Sequence, residues 1–271
     1  MIHLRSLKVQ RFKPWPDAFP YNVPVLATLD TLEFTTPVTF LVGENGSGKS
    51  TLLECIAAAA GSSTVGSEGV ERDHTLREIR QAAKDLKLVW NKRTRRGFFM
   101  RSEDFFGYAR KMEQTREEMR REMEAVDREY EGRSELAKAL GKMAYAGELH
   151  AMQNSYGEGI DARSHGESYL QLFNARFSPG GLYLLDEPEA PLSPKRQLSF
   201  LVMLHEMAAQ DAQFIIATHS PILLGFPGAT ILSCDSGRPT PTPFEELDHV
   251  AITRDFLLHR KMYLRELGIE E

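Results

Sequence analysis

Short continuous apolar runs alternate with longer amphipathic stretches over much of this chain, and the two patterns assign most of its elements. Val38-Thr39-Phe40-Leu41-Val42, Gly181 to Asp186, Gln213 to Thr218 and Ala229 to Cys234 are brief, mostly apolar runs of the kind a fully buried strand requires. Helical patterns over Lys49 to Ala60 and Pro194 to Gln210 lie between them. Strands alternating with helices predict an α/β fold with a mostly parallel sheet covered on both faces. Ile2 to Phe12 reads as an imperfect strand, and the loop after it carries Pro14, Pro16, Pro20 and Pro24, which break regular structure. A polar helix is expected around Asp73 to Lys84. Two β-type segments, Leu86 to Trp90 and Gly97 to Arg101, follow on either side of the basic turn Asn91 to Arg96. The tail from Phe244 to Leu267 reads as helical.

From Tyr108 to about Ala151 the pattern changes. Glu, Arg, Lys, Met and Ala dominate, and Met112, Met119, Met123, Val126 and Tyr130 recur at intervals of seven, four, three and four. That spacing is a narrow coiled-coil-like seam, interrupted by Arg116 and Arg133 and weakened by Gly132 and Gly141. Glu117 with Arg121 and Glu124 with Arg128 add support one helical turn apart. Residues 108–151 therefore read as an inserted helical arm, or as a solvated helix packed on the core. About 40 helical residues reach only some 60 Å, too short for a long tether.

Composition narrows the function. A chain of 271 residues with 42% hydrophobic content builds a substantial core, and its net charge of −5 argues against binding nucleic acid by bulk charge. The dense basic cluster is Lys92, Arg93, Arg95, Arg96 and Arg101, readable as a solvated turn or as a local anion-binding patch. Cys55 and Cys234 form neither a disulfide framework nor a metal-ligand spacing, which suits a reducing cytoplasm. No signal-type leader and no run of about 18 apolar residues is present, so direct membrane insertion is not expected.

The chemistry concentrates in three places. Gly43-Glu44-Asn45-Gly46-Ser47-Gly48-Lys49-Ser50-Thr51 fits G-x-x-x-x-G-K-[ST] between a strand and a helix, the context a phosphate-binding loop requires. Its backbone N–H groups and the helix start form an anion nest. Lys49 can reach β- and γ-phosphates, and the Ser50 hydroxyl is placed for Mg²⁺. Leu182 to Asp186 is a strand ending in paired carboxylates: Asp186 suits the Mg²⁺ shell, and Glu187, on the other side of the strand, suits the attacking water. Ile215-Ile216-Ala217-Thr218-His219-Ser220-Pro221 sets His219 at a third strand end, where it can hydrogen-bond the γ-phosphate or that water.

Together these motifs resemble the ABC-type ATPases, including transporter subunits and the recombination-repair, chromosome-maintenance and defence-associated heads. The resemblance covers roughly Leu7 to Thr51, Arg96 to Glu103 and Ser164 to Asp235. It implies a P-loop NTPase fold of ABC type over residues 1–271, with 108–151 inserted. Walker A is Gly43 to Thr51, Walker B is Leu182 to Glu187, the D-loop is Ala190 to Ser193, and the switch histidine is His219. The family signature falls at Ser164-His165-Gly166-Glu167-Ser168, a departure from the transporter form Leu-Ser-Gly-Gly-Gln. Ser164 and Glu167 have the spacing of a capping box that opens a helix towards an anion. Ser164, Gly166 and Glu167 would thus meet ATP bound by a second subunit in a head-to-tail, ATP-dependent homodimer. The family's metal-touching glutamine is missing after Gly97 to Arg101, and Glu103 is the candidate there. Phe12 or Trp15 could stack on adenine, or serve as a core or loop aromatic.

The resemblance implies hydrolysis of ATP with Mg²⁺. The signature, the Asp-Glu-Pro-Glu run at 186–189 and Thr-His-Ser-Pro at 218–221 look more like repair and defence relatives than transporters. DNA, RNA or a soluble effector protein is the expected partner. Alternatives are the nucleotide-binding subunit of a transporter and an ATP-dependent switch acting on an effector.

Overall fold

The buried apolar runs become strands of one six-stranded sheet in the computed structural model, which describes residues 1–10, 15–64, 76–156 and 165–269. Along the chain the elements are β1 (Leu4–Val9), α1 (Pro24–Thr28), β2 (Thr31–Glu33), β3 (Val38–Val42), α2 (Lys49–Ala60), α3 (Arg77–Ala83), β4 (Leu86–Trp90), β5 (Gly97–Arg101), α4 (Ser102–Glu129), α5 (Glu135–Tyr156), α6 (His165–Arg176), β6 (Leu182–Asp186), α7 (Pro194–Ala209), β7 (Gln213–Ala217), α8 (Pro221–Leu224), β8 (Thr230–Ser233), β9 (Thr240–Pro241), α9 (Asp248–Leu258) and α10 (Arg260–Glu266). The large sheet has the order β5-β6-β7-β3-β8-β9, parallel except for the antiparallel edge strand β9.

Alternation along each central strand divides the core. Leu41, Leu184, Ile215 and Ala217 face one side, packed with Leu52, Leu53 and Ile56 of α2. Phe40, Val42, Tyr183, Leu185, Phe214 and Ile216 face the other, against α6, α7 and α8. Each fully buried large side chain contributes about 1.5–3 kcal/mol of transfer free energy. On the second face Tyr183 lies 4.7 Å from Phe177 and 5.1 Å from Phe214, ring centroid to centroid. The Tyr183 hydroxyl is satisfied by donating to the Ser178 carbonyl at 2.9 Å.

The first face departs from the sequence expectation. Helices cover both sides, but a second, three-stranded antiparallel sheet of order β2-β1-β4 shares the first side with α2. Segments 86–90 and 97–101 are therefore neighbours in sequence but members of different sheets: β4 pairs with β1, and β5 runs parallel to β6. Buried Gln213, at the start of β7, ties the two sheets together. Its Oε1 accepts from the amides of His3 and Leu4, each at 2.8 Å, and its Nε2 donates to the Leu4 carbonyl at 2.9 Å. The proline-rich loop also hides a helix, α1, which starts at Pro24 because a first-turn residue needs no amide donor.

The middle segment forms two helices, α4 and α5, joined by residues 130–134 and packed on one another. Met119, Met123, Val126 and Tyr130 are half-buried, so the sparse apolar seam does face a neighbour, and Gly141 of α5 lies against Val126 and Tyr130. Arg116, an interruption of the seam on paper, is 3% exposed. Glu117 and Arg121 pair at 3.3 Å as their spacing predicts.

Gly97 starts β5 with φ of +111°, and a Cβ there would stand 1.8 Å from the Leu182 carbonyl oxygen. Gly97→Ala must displace β5 from β6, and the expected loss is roughly 2–4 kcal/mol in chemical denaturation. A variant as stable as the parent would show that the strand pair tolerates the methyl group.

Candidate functional site

Register brings the three chemical motifs to one edge. In the parallel ladders Asp186 lies beside Ala217, and Ala217 beside Leu41. The phosphate loop, the Asp186-Glu187 turn and the Thr218-His219 turn therefore leave the sheet level with one another, at the carboxyl ends where α/β sheets bind ligands.

The loop from Gly43 to Gly48 runs from β3 into α2. Gly48 has φ of +97°, and a Cβ would meet Val23 Cγ1 at 2.4 Å, so glycine is required by both conformation and space. Gly43 is pressed against Asp235, whose Oδ1 accepts the Glu44 amide at 2.6 Å. Lys49 is buried at 5% exposure. Its ammonium donates to the carbonyls of Gly43 at 2.7 Å and Glu44 at 3.0 Å, and to Ser47 Oγ at 3.4 Å. A positive charge thus stands inside the loop, with Asn45 and Ser47 on the wall of an adjoining cavity of ≈ 690 Å³. Gly46 has open space beside it, and Ser50 and Thr51 lie in the first turn of α2.

Ser50 Oγ donates to Asp186 Oδ1 at 3.0 Å. Burial pushes the Asp186 carboxyl up to about 6, and the Ser50 hydrogen bond opposes the shift only in part. These are two hard oxygen donors side by side, one of them a carboxylate whose ionised form is short of partners. They fit Mg²⁺ by donor chemistry. Glu103 does not join them. It is largely exposed in the first turn of α4, with Oε1 3.4 Å from Arg101 Nε. Arg101 also faces Glu54 at 3.6 Å and Asp104 at 3.1 Å, so the end of β5 is organised around a cation. Among the described residues no three His, Cys, Asp or Glu side chains form a metal-site cluster.

Glu187 has φ of +47°, an uncommon conformation for a side-chain-bearing residue. Its amide donates to the Ala217 carbonyl at 2.9 Å, and its Oε1 lies 4.0 Å from His219 Nε2. Burial holds the His219 imidazole below its ordinary value and the Lys49 charge adds to the effect, so the neutral ring predominates at pH 7. His219 also shares the wall of the cavity beside the loop.

Helix α6 begins at His165, so Gly166 and Glu167 lie in its first turn, as the capping-box spacing predicts, while Ser164 and Phe12 lie outside the described residues. Trp15 is engaged with the protein, its ring edge-on to Tyr21 at 5.0 Å and packed on the core. Sequence reasoning missed Asp235, Glu189 and Arg101 as neighbours of the site. Asp235 follows a strand without any motif, and Glu189 carries a signal only as the third carboxylate of Asp-Glu-Pro-Glu.

Residues 6–140 match a family model described as "AAA domain", and residues 164–225 match one described as "AAA domain, putative AbiEii toxin, Type IV TA system". No curated protein matches the chain. Similar solved structures include a nucleotide-free ATP-binding cassette from an ABC transporter, at 17% identity over 100% of both chains with TM-score 0.46. An Smc head domain from Pyrococcus furiosus, bound to the C-terminal domain of ScpA, is 13% identical over 95% of this chain and 100% of that one, with TM-score 0.46. An SMC head from Thermotoga maritima is 16% identical over 89% and 100%, with TM-score 0.42.

Because the folded carboxyl of Asp186 is raised to about 6, its stabilising share is complete below the unfolded value near 4 and is lost as pH rises through 6. Asp186→Asn keeps an oxygen for Ser50 and removes the buried charge. In EDTA and without nucleotide, it should stabilise the protein at pH 7.5 by about 1–3 kcal/mol, with a smaller gain at pH 5. Denaturation at the two pH values checks this; a gain independent of pH contradicts the buried-charge account.

Proposed function

We propose that this chain, an ABC-type P-loop ATPase domain resembling the heads of repair and chromosome-maintenance proteins, hydrolyses ATP with Mg²⁺ between two copies of itself and couples the cycle to a nucleic-acid-linked process. The observation that carries the reading is the level meeting of the phosphate loop, Asp186-Glu187 and His219 at one sheet edge.

The loop amides and the start of α2 would receive the polyphosphate, with Lys49 supplying a fixed positive charge for the β- and γ-phosphates. Ser50 and Asp186 would hold Mg²⁺, which when bound offsets phosphate charge. Glu187, half-exposed and beside the Lys49 loop, orients and deprotonates the attacking water. Neutral His219 can either donate to a γ-phosphate oxygen or accept from that water.

Glu187 and His219 keep 42% and 36% of their side-chain surface exposed, so a single copy leaves the hydrolytic side open to bulk water. The amino end of α6, with Gly166 and Glu167 in its first turn, supplies N–H groups suited to a γ-phosphate, and in a head-to-tail dimer it would close the partner's site.

Nucleic acid is favoured by a polar cavity of ≈ 520 Å³ lined by Trp90, Arg93, Arg95, Arg96, Ser62 and Ser63. Arg96 is partly spent on the Pro179 carbonyl at 3.1 Å, and among the described residues Arg93 and Arg95 have no ion pair. Guanidinium groups beside an indole combine backbone attraction with a stacking surface. A second reading, a switch acting on an effector protein, is favoured by the exposed helical stripe Leu136, Leu140 and Met143 on α5.

Lys49→Ala should abolish ATP binding, and Glu187→Gln should leave binding intact while lowering kcat roughly 10²–10⁴-fold. Phosphate release and fluorescent-nucleotide titration check both; normal turnover by Glu187→Gln overturns the assignment of the base. Single-stranded DNA or RNA should stimulate turnover. Arg93→Glu with Arg95→Glu should remove that stimulation and spare basal turnover, whereas equal stimulation of parent and variant would detach the basic cavity from nucleic acid.

A further inference from the structure

The run Asp186-Glu187-Pro188-Glu189 has three carboxylates, and hydrolysis accounts for two. Glu189 sits in the turn after β6, yet its bonds are made to the turn after β7. Its Oε1 accepts from Thr218 Oγ1 at 2.6 Å and from the His219 amide at 2.8 Å. Thr218 Oγ1 in turn accepts from the Ser220 amide at 3.0 Å, so one carboxylate oxygen and one hydroxyl hold two successive N–H groups beside the imidazole. A second strap runs alongside: Ser220 Oγ donates to Gln197 Oε1 at 2.6 Å, and Gln197 Nε2 donates to the Leu192 carbonyl at 3.1 Å.

The ring that these straps position makes few bonds of its own. His219 Nε2 is buried without a hydrogen bond among the described residues and stands 4.0 Å from Glu187 Oε1. Its location is therefore set by the backbone that carries it, and that backbone is held by Glu189. Burial pushes the Glu189 carboxyl above its ordinary value, and the hydrogen bonds from Thr218 and the His219 amide oppose that shift. The requirement is an acceptor oxygen within reach of both donors, and a glutamine amide oxygen supplies one.

We propose that Glu189 is a positioning residue for ATP hydrolysis: by binding Thr218 and the His219 amide, it keeps the His219 imidazole facing Glu187 and the γ-phosphate side of the site. The proposal rests on the assignment of His219 and Glu187 given above. Glu189 touches neither nucleotide nor water in this account. Its loss should lower turnover without weakening nucleotide binding.

The test compares Glu189→Ala, Glu189→Gln and Thr218→Val with the parent, alone and combined with His219→Ala. Steady-state phosphate release, ATP titration and hydrogen exchange of peptides covering 216–222 are the readouts. Glu189→Ala should lower kcat about 10- to 100-fold, hold KM within about threefold and speed exchange at 219–220; Glu189→Gln should recover most of the kcat. Thr218→Val, which removes a single hydroxyl, should move the same readouts less and guards against misfolding of the alanine variant. In the His219→Ala background, Glu189→Ala should cost under threefold more. Unchanged exchange at 219–220, or an undiminished loss in the His219→Ala background, overturns the proposal. If His219→Ala alone leaves kcat intact, the histidine assignment fails, while the exchange readout still judges the Glu189 strap.

Discussion

In-register parallel pairing of β6, β7 and β3 is the constraint on which the site depends. Leu41, Ala217 and Asp186 are successive partners across the ladder, so three turns begin at the same height. A one-residue slip of β6 would turn Asp186 to the opposite face and carry Leu184 and Tyr183 into each other's core layers. The two cores therefore enforce the site geometry: large side chains on both faces of β6 leave one register that fills both.

Two buried ionisable groups stand at the centre of that edge, and their situations differ. Lys49 donates to two carbonyls and a hydroxyl of its own loop, so its charge has partners within the chain. Asp186 accepts a hydrogen bond from Ser50, and burial pushes its carboxyl up to about 6. A cation between Asp186 and a polyphosphate would relieve the second group, and the polyphosphate would give the first a stronger partner. Burial of that carboxylate is electrostatically unfavourable, and ligand binding can offset the penalty.

Much of this was legible in the sequence because the signals are local. The phosphate loop is a contiguous motif with required glycines, and the runs at 38–42, 182–186 and 213–217 are short and apolar enough to be buried strands. Long-range pairing was less legible. Leu86–Trp90 and Gly97–Arg101 read as two β-type segments flanking a basic turn, and nothing local to them encodes that one belongs to an antiparallel sheet with β1 and the other beside β6. The same limit hid Asp235, which reaches the Glu44 amide across 191 positions. Glu103 holds the place after β5, but Arg101 organises that corner with Glu54 and Asp104, and the glutamate lies outward beside it. Arg116, counted against a helical seam by its charge, is buried in it.

The pairing of β3 also dictates the order in which the molecule can be made. Val38–Val42 is flanked on both sides by strands from the last quarter of the chain, 213–217 and 230–233. A nascent chain that has emerged as far as α7 owns the whole phosphate-loop motif but has no neighbour for the strand that presents it. Closing such distant pairs is slow, and before they close β3 is an apolar strand with two unpaired edges. Until β7 and β8 have been synthesised, the strand beneath the loop lacks both of its partners and is the segment in most need of shielding from other chains.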